Sequence, residues 1–364
     1  MRAKRGRVFQ LQATVDVATL YVGDQIERSL EGRCHITSAF LTGVLPKNRQ
    51  KSNEIKYFNF TKRRVRGVLR WFSIWRLYQY VKLNNFNIVI SHRFKSVHMM
   101  LLVCRLLNIP MIGVVHGIGD FDRKYRQRYM KMLISDGCSF VAVSEDVRSY
   151  MIKLSCGFTK ENTAVITNAV DIDYVEENQL SRIEARDELG VPKQAFVFGL
   201  VSRLVRGKGH SYMLKAFGFL FEEYPQARVV IIGDGRIKSK LKVLADKLNI
   251  TEKVIFSGQK TDASKYMKAF DVFVMPSLSE GMPLAMLEAM SASIPVTGSK
   301  IPALVSLVEG AGGHCFEPKD SASLALIMRL YLEKPRNELD ALGDSAYQYV
   351  RDRHSIQCFQ HGYQ

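Results

Sequence analysis

At 364 residues, with 47% hydrophobic and 24% charged residues, the chain is long enough for two globular domains and too apolar for a disordered one. Six cysteines, Cys34, Cys104, Cys138, Cys156, Cys315 and Cys358, are scattered without a C-x-x-C pair, which argues for reduced thiols and against a zinc site or a disulfide framework. The formal net charge is +17, and residues 1–110 hold 20 Lys/Arg against 5 Asp/Glu, so +15 falls there and +2 in the rest. That asymmetry points to an anionic partner, whether a membrane surface, a nucleic acid or a phosphorylated acceptor, or else to a solubilising surface.

The start, MRAKRGRVFQLQATVDVATL, has the basic head of a signal peptide, but Gln10, Gln12 and Asp16 interrupt its apolar part and a first strand is expected. Short strands are predicted at 7–12 and 36–41, with a helix from about Val22 to Leu30 between them. Residues 61–83 read as a helix, with Val65, Val68, Leu69, Phe72 and Trp75 near one face. Lys62, Arg63, Arg66, Arg70 and Arg76 lie around its rim and back. Such a composition suits an interfacial membrane helix, and equally a helix that packs Trp71 or Trp75 onto a sheet and leaves its arginines in water. The most apolar run, Val97 to Leu107, contains His98 and Arg105 and falls short of the roughly 20 residues that span a bilayer.

Residues 87–91 and 111–115 are β-branched runs of strand length separated by a helical stretch, 96–107, which makes a β-α-β unit with parallel strands. His92 and His116 fall just past these strands, where open α/β sheets place their ligands. A third run, Phe140 to Val143, leads into Ser144-Glu145. Asp171 and Asp173 form a D-x-D, a pattern that can hold a divalent metal, and the polar helix from Glu176 to Gly190 puts a domain boundary near residue 175.

Beyond it, residues 195–205 form a strand that runs into Arg203, Gly207, Lys208 and Gly209. Arginine can engage two phosphate oxygens at once and lysine supplies a mobile point charge. No G-x-x-x-x-G-K-[ST] loop is present, so triphosphate hydrolysis has no support. Strands at 228–232 and 253–257, the turn Gly233-Asp234-Gly235 and a helix at 237–248 continue a doubly wound parallel pattern. Residues 271–296, DVFVMPSLSEGMPLAMLEAMSASIPV, then read as strand, loop and helix. Pro276 stops the strand, Pro283 suits the first helical turn, and Leu284, Leu287 and Met290 are expected on the buried face. Glu280 falls in the loop and Glu288 on the helix. A helix N-terminus favours an anion, and carboxylates accept from hydroxyls, so this stretch suits a ligand with sugars on both sides of its phosphates. Residues 320–353 are predicted to be mostly helical.

Pro276, Ser277, Glu280, Gly281, Glu288, Ala289, Met290, Pro295 and Val296 all match the E-x7-E signature, and the stretch resembles that of glycosyltransferase family 4. The sequence around His116 (GVVHG) resembles the family's post-strand histidine at the donor–acceptor junction. Residues 202–209 resemble its G-R-L-x-x-x-K-G segment with Ser202 for Gly, and residues 168–171 its N-G-V-D with Ala169 for Gly, which explains the aspartates as junction rather than metal ligands. Ile301 to Val308 resemble I-P-E-L-V with Ala303 for Glu. The family's glycine-rich loop after the first strand is reduced here to Gly23. The resemblance is clearest over 139–333 and thinner through the first 118 residues.

It implies an α/β chain of GT-B fold, two Rossmann-like doubly wound domains facing an interdomain cleft. Residues 1–175 would bind the acceptor and 176–364 the nucleotide sugar, with the last helix crossing back. The implied reaction moves a hexose from a nucleotide diphosphate sugar to a hydroxyl of a saccharide acceptor, with retention, the departing phosphate taking the acceptor proton. The implied catalytic residues are His116, Arg203, Lys208 and Glu280, and the donor-binding ones Arg203, Lys208, Gly281, Met282, Pro283, Leu284 and Glu288. Gln259 and Lys260 would lie near the base. No metal cofactor is expected. With the basic first domain, the expected acceptor is lipid-linked, of the lipopolysaccharide, capsule or O-antigen kind, the partner an anionic membrane surface rather than nucleic acid, and the location cytoplasmic, peripheral on the inner face of the membrane. A sugar-nucleotide epimerase of the same fold and a basic nucleic-acid-binding protein are the alternatives.

Overall fold

The computed structural model describes residues 6–15, 17–44, 54–61, 63–65 and 70–363. It divides into two compact units, Met1–Asn168 with Phe359–Gln364, and Ala169–Cys358. The division falls before the expected boundary at 175 because Val170, Ile172 and Val175 are buried in the core of the second unit.

The first unit runs β1 (Gly6–Thr14), α1 (Val17–Ser29), β2 (Cys34–Thr42), β3 (Glu54–Tyr57), α2 (Arg70–Leu83), β4 (Ile88–His92), α3 (Arg93–Leu107), β5 (Met111–Val115), α4 (Lys124–Leu133), β6 (Cys138–Ala142), α5 (Glu145–Lys153) and β7 (Thr163–Val165). Its strands form one sheet in the order β3-β2-β1-β4-β5-β6-β7, every pairing parallel. Parallel sheets are covered on both faces, so central strands bury successive residues. In β1, Val8, Phe9, Gln10, Leu11 and Gln12 are all buried, two glutamines among them. The short edge strands β3 and β7 carry little apolar pattern and were not expected. His92 ends β4 rather than following it, and Gly23 lies inside α1, which starts earlier than the sequence suggested.

The basic 61–83 segment departs most from expectation. A helix is described from Arg70, and Lys62, Arg66, Val68 and Leu69 lie outside the described residues. Its buried stripe is Ser73, Ile74, Leu77 and Val81, a helical i, i+3, i+7 repeat, and Phe72 and Trp75 sit off that stripe. They are 45% and 56% exposed, and Trp71 is 61% exposed. Among the described residues no helix is long and apolar enough to cross a membrane.

The second unit runs α6 (Ile172–Asn178), α7 (Arg182–Leu189), β8 (Phe196–Val201), α8 (His210–Gly218), β9 (Ala227–Ile232), α9 (Lys238–Lys247), β10 (Val254–Gly258), β11 (Val272–Met275), α10 (Leu284–Ser291), β12 (Val296–Ser299), α11 (Pro302–Gly310), β13 (His314–Phe316), α12 (Ser321–Glu333), α13 (Arg336–His354) and α14 (Ile356–Tyr363), whose end belongs to the first unit. The sheet order is β10-β9-β8-β11-β12-β13, all parallel. Alternation along the strands builds two cores. Val197, Val230, Ile232, Phe273 and Met275 face α10, α11 and α13, while Phe198, Leu200, Val229, Ile231, Val272 and Val274 face α8, α9 and α12.

One buried carboxylate ties this unit together. Asp271, just before β11, accepts from Arg182 at 2.6 Å, Arg186 at 2.8 Å, Arg336 at 2.6 Å and the backbone N–H of Val197 at 2.8 Å. Arg186 is itself buried and also donates to the carbonyls of Ala269 and Lys193. Removing the shared partner of buried charges leaves them uncompensated. Asp271→Ala should therefore lower the stability of the second unit by about 3 kcal/mol, read from hydrogen exchange of the β8 and β11 amides. A loss below about 1 kcal/mol would mean that water, not Asp271, neutralises these arginines.

Candidate functional site

In the second sheet β8 is flanked by β9 on one side and β11 on the other, so the strand order reverses there. Ligands of open α/β sheets bind outside the C-terminal strand ends at such a point. The loop after β8 carries Arg203 to Gly209, with a single 3-10 turn over Arg206–Lys208, and the loop after β11 carries Pro276 to Pro283. The two meet backbone to backbone. Leu278 N–H donates to the Gly207 carbonyl at 2.8 Å, and a Cβ on Gly209, whose φ is +71°, would overlap the Pro276 carbonyl oxygen. On the other flank Gly233 has φ +144°, and a Cβ there would overlap the Ser202 carbonyl oxygen. Ser202 N–H donates to Ile232 and Leu204 N–H to Asp234, so the β9 exit clasps the same loop.

This approach brings Lys208 of one loop onto Glu280 of the other. Lys208 Nζ lies 2.6 Å from Glu280 Oε1, with side chains 25% and 9% exposed. Arg203 is exposed, and among the described residues it pairs with no carboxylate. Glu288 is half-buried on α10. Burial, reinforced by the negative charge of Asp262, pushes its carboxyl up to about 7. Asp262 is held by the hydroxyls of Ser264 at 2.5 Å and Tyr174 at 3.0 Å. Gly281 and Pro283 are buried, whereas Met282 and Leu284 are half-buried against the core. Helix α10 begins at Leu284 with Pro283 as its N-cap, one position later than the sequence suggested. Its fully buried positions are Met286, Leu287, Ala289, Met290 and Ser291, and Leu284 packs against the same core from a half-buried position, as expected for that face.

Two features were not expected. His210, buried at the start of α8, lies 3.0 Å through Nε2 from Ser202 Oγ, the residue that departs from the family glycine. Burial and then the Lys208 charge hold its imidazole down to about 4, so it adds no cation beside Lys208. Asp262 is the other; nothing in the spacing marked it as the neighbour of Glu288. Of the residues expected near the base, Gln259 is exposed and Lys260 Nζ sits 4.9 Å over the Tyr266 ring. Asp171 caps α6 by accepting from Tyr174 N–H at 3.2 Å, and among the described residues no cluster of three or more metal-ligating side chains occurs.

His116 belongs to the first unit, directly after β5. Its ring is half-buried, and its Nε2 lies 3.1 Å from Nδ1 of His92. The loop behind it carries Asp120, whose carboxyl is raised by burial against the opposing charges of Arg93 and Arg126.

In chemical terms the second-unit patch offers two cations for phosphate oxygens and two carboxylates for hydroxyls. The family profile described as glycosyl transferases group 1 matches residues 181–349, and that described as glycosyltransferase family 4 matches residues 29–174. An uncharacterized glycosyltransferase of Methanocaldococcus jannaschii is 34% identical over 137 residues, 38% of this chain and 34% of the relative. The UDP-Gal:alpha-D-GlcNAc-diphosphoundecaprenol alpha-1,3-galactosyltransferase of Escherichia coli is 30% identical over 243 residues, 63% of this chain and 62% of the relative. The matched stretch thus spans less than two thirds of either relative's own length. Among solved structures, Anabaena HepE in complex with UDP and glucose shares the fold, with a TM-score of 0.84 at 20% identity over 98% of each chain. The two parallel-sheet units, the profiles and the relatives agree: this chain belongs to glycosyltransferase family 4 and has the GT-B fold.

Proposed function

We propose that the protein transfers a hexose from a nucleotide diphosphate sugar to a hydroxyl of a saccharide acceptor, with retention at the anomeric carbon. The observation that carries this reading is the Lys208–Glu280 pair, which joins the loops on either side of the strand-order reversal. An arriving diphosphate competes for Lys208 and frees Glu280 to accept from sugar hydroxyls. Arg203 adds a second, unpaired cation for the phosphates, the backbone from Gly281 to Leu284 leads into the N-terminus of α10, and Glu288 accepts from the ribose. The bond from the anomeric carbon to the phosphate oxygen breaks, one to the acceptor oxygen forms, and the acceptor proton passes to the departing phosphate. Charge builds on that phosphate in the transition state, so Arg203 and Lys208 act where electrostatic stabilisation gains most. No metal is required.

The E. coli relative is named for UDP-Gal and a diphosphoundecaprenol-linked acceptor, and the Anabaena structure holds UDP. Both support a uridine nucleotide as the first donor to test, and the E. coli relative's name supports a lipid-linked acceptor. The exposed Trp71, Phe72 and Trp75 of α2 favour work at a membrane face, since Arg64 lies 4.8 Å over the Phe72 ring. Exposed aromatics among cations suit the headgroup boundary of anionic lipid, here on the inner face of the cytoplasmic membrane.

Calorimetric titration with UDP, GDP, ADP and their hexose conjugates should show selective binding of one nucleotide, and Lys208→Ala should cut transfer on the order of 100-fold. A folded protein that binds none of them, or a variant that keeps its turnover, would remove the assignment. Because Glu288 serves as a carboxylate acceptor but titrates near 7, donor affinity should rise as pH increases from 6 to 8. Asp262→Asn should move that rise to lower pH and Glu288→Gln should flatten it; an unchanged profile in both would place the ribose elsewhere. Stability runs the opposite way: the raised carboxyl favours the fold below its ordinary value of 4.5, and that contribution is lost as pH rises towards 7. Finally, the protein should co-sediment with vesicles containing anionic lipid, less so at high salt and in Trp71→Ser/Trp75→Ser. Binding indifferent to lipid charge and to both tryptophans would exclude α2 as the contact.

A further inference from the structure

At the C-terminal edge of the first sheet, Gln10 of β1, His92 of β4 and His116 after β5 form one line of hydrogen-bonding side chains, and their donor and acceptor roles can be assigned one after another. Gln10 is fully buried. Its amide nitrogen lies 3.2 Å from the Gly23 carbonyl oxygen and 3.3 Å from Glu27 Oε1, groups that accept. It also lies 3.2 Å from the Ser38 hydroxyl, which donates to the same Glu27 oxygen. These partners fix which way the amide points. Its carbonyl oxygen is therefore the atom 3.4 Å from His92 Nε2, and a carbonyl can only accept.

His92 Nε2 must then carry the hydrogen. The ring is completely buried between strands, and burial together with the neighbouring Arg93 charge keeps it neutral, its pKa down at about 3. A neutral ring has one N–H, so His92 Nδ1 is a lone pair, 3.1 Å from His116 Nε2. That makes His116 Nε2 the donor. Burial, with His92 and Arg93 beside it, holds His116 well below its ordinary value as well, so its Nδ1 carries the remaining lone pair. Among the described residues nothing bonds that nitrogen.

The local backbone maintains this arrangement. Arg93 follows His92 with φ +61°, a left-handed conformation that is strained for a side-chain-bearing residue, and the Ser96 hydroxyl donates to the His92 carbonyl. A line of buried polar side chains costs desolvation that an apolar strand interior would not, which argues for a role beyond packing.

We propose that Gln10 and His92 are positioning residues that hold His116 as its Nε2–H tautomer, so that Nδ1 accepts a hydrogen bond from a substrate hydroxyl and does not donate to a phosphate. The assignment of that hydroxyl to a sugar rests on the glycosyl-transfer reading above; the tautomer does not.

Long-range proton–nitrogen correlation spectra of the full-length protein at pH 7 test the tautomer directly, with the ring signals identified by their loss in His92→Gln and His116→Gln. The expected pattern is Nε2–H with a bare Nδ1 at both rings. An Nδ1–H tautomer or an imidazolium at His116 in the wild type overturns the proposal without any variant needing to fold. Gln10→Met keeps the side chain's length and removes its acceptor, so His92 should exchange between tautomers and His116 should follow. Once a donor is known, kcat in that variant should fall on the order of tenfold to a hundredfold, with the donor KM within about twofold. Altered turnover with the wild-type ring pattern would assign Gln10 a packing role instead. Absence of transfer from every nucleotide sugar would strike only the glycosyl-transfer reading and leave the spectra to decide the tautomer.

Discussion

The second unit depends on how closely the chain can pass itself where its strand order reverses. Gly209 under Pro276, Leu278 on Gly207 and Gly233 under Ser202 are contacts between main chains, with no side chain to spare between them. That proximity places a lysine from one strand exit on a glutamate from the next. A bulkier residue at Gly209 would push the two loops apart, and Lys208 and Glu280 would no longer meet. Charge and geometry are therefore a single constraint: the loops can carry opposed charges because their backbones are already joined.

The two sheets share a winding order but use it with opposite chemistry. The second places mobile full charges at its reversal point, two cations and two carboxylates, one of which needs a hydroxyl donor or a proton to be comfortable. The first places glutamine and neutral histidine at the corresponding edge, a chain of fixed dipoles from Glu27 to His116. Full charges suit phosphates, which move in and out with their counter-charges. Oriented neutral groups suit hydroxyls, where the direction of a lone pair decides what binds.

Local pattern made much of this legible. The strand-loop-helix at 271–296, the β-α-β unit around His92 and His116 and the cationic loop at 203–209 are contiguous in sequence, and the structure has them close to where periodicity and punctuation put them. What stayed hidden was set by long-range partners. Asp271 meets arginines from α7 and α13, Glu288 feels the charge of Asp262 from another part of the chain, and Gln10 meets His92 from a strand far away in the chain. A buried glutamine in a strand looks like a flaw in an apolar run until its partners are known. The 61–83 segment failed for a different reason. A face assigned over the whole stretch mixed two phases, because the helix takes its register from the buried Ser73, Ile74, Leu77 and Val81 stripe.

Asp271 stands at the root of β11, and Met275 at its tip is the last strand residue before the loop that carries Glu280. Three guanidinium groups and a neighbouring amide hold the root, and at the tip Met275 pairs with Gly298 while Leu278 N–H, just beyond it, bonds the Gly207 carbonyl. The strand is therefore a beam pinned at both ends, by ions at its root and by main chain at its tip, and the Lys208–Glu280 pair rides on the pinned end.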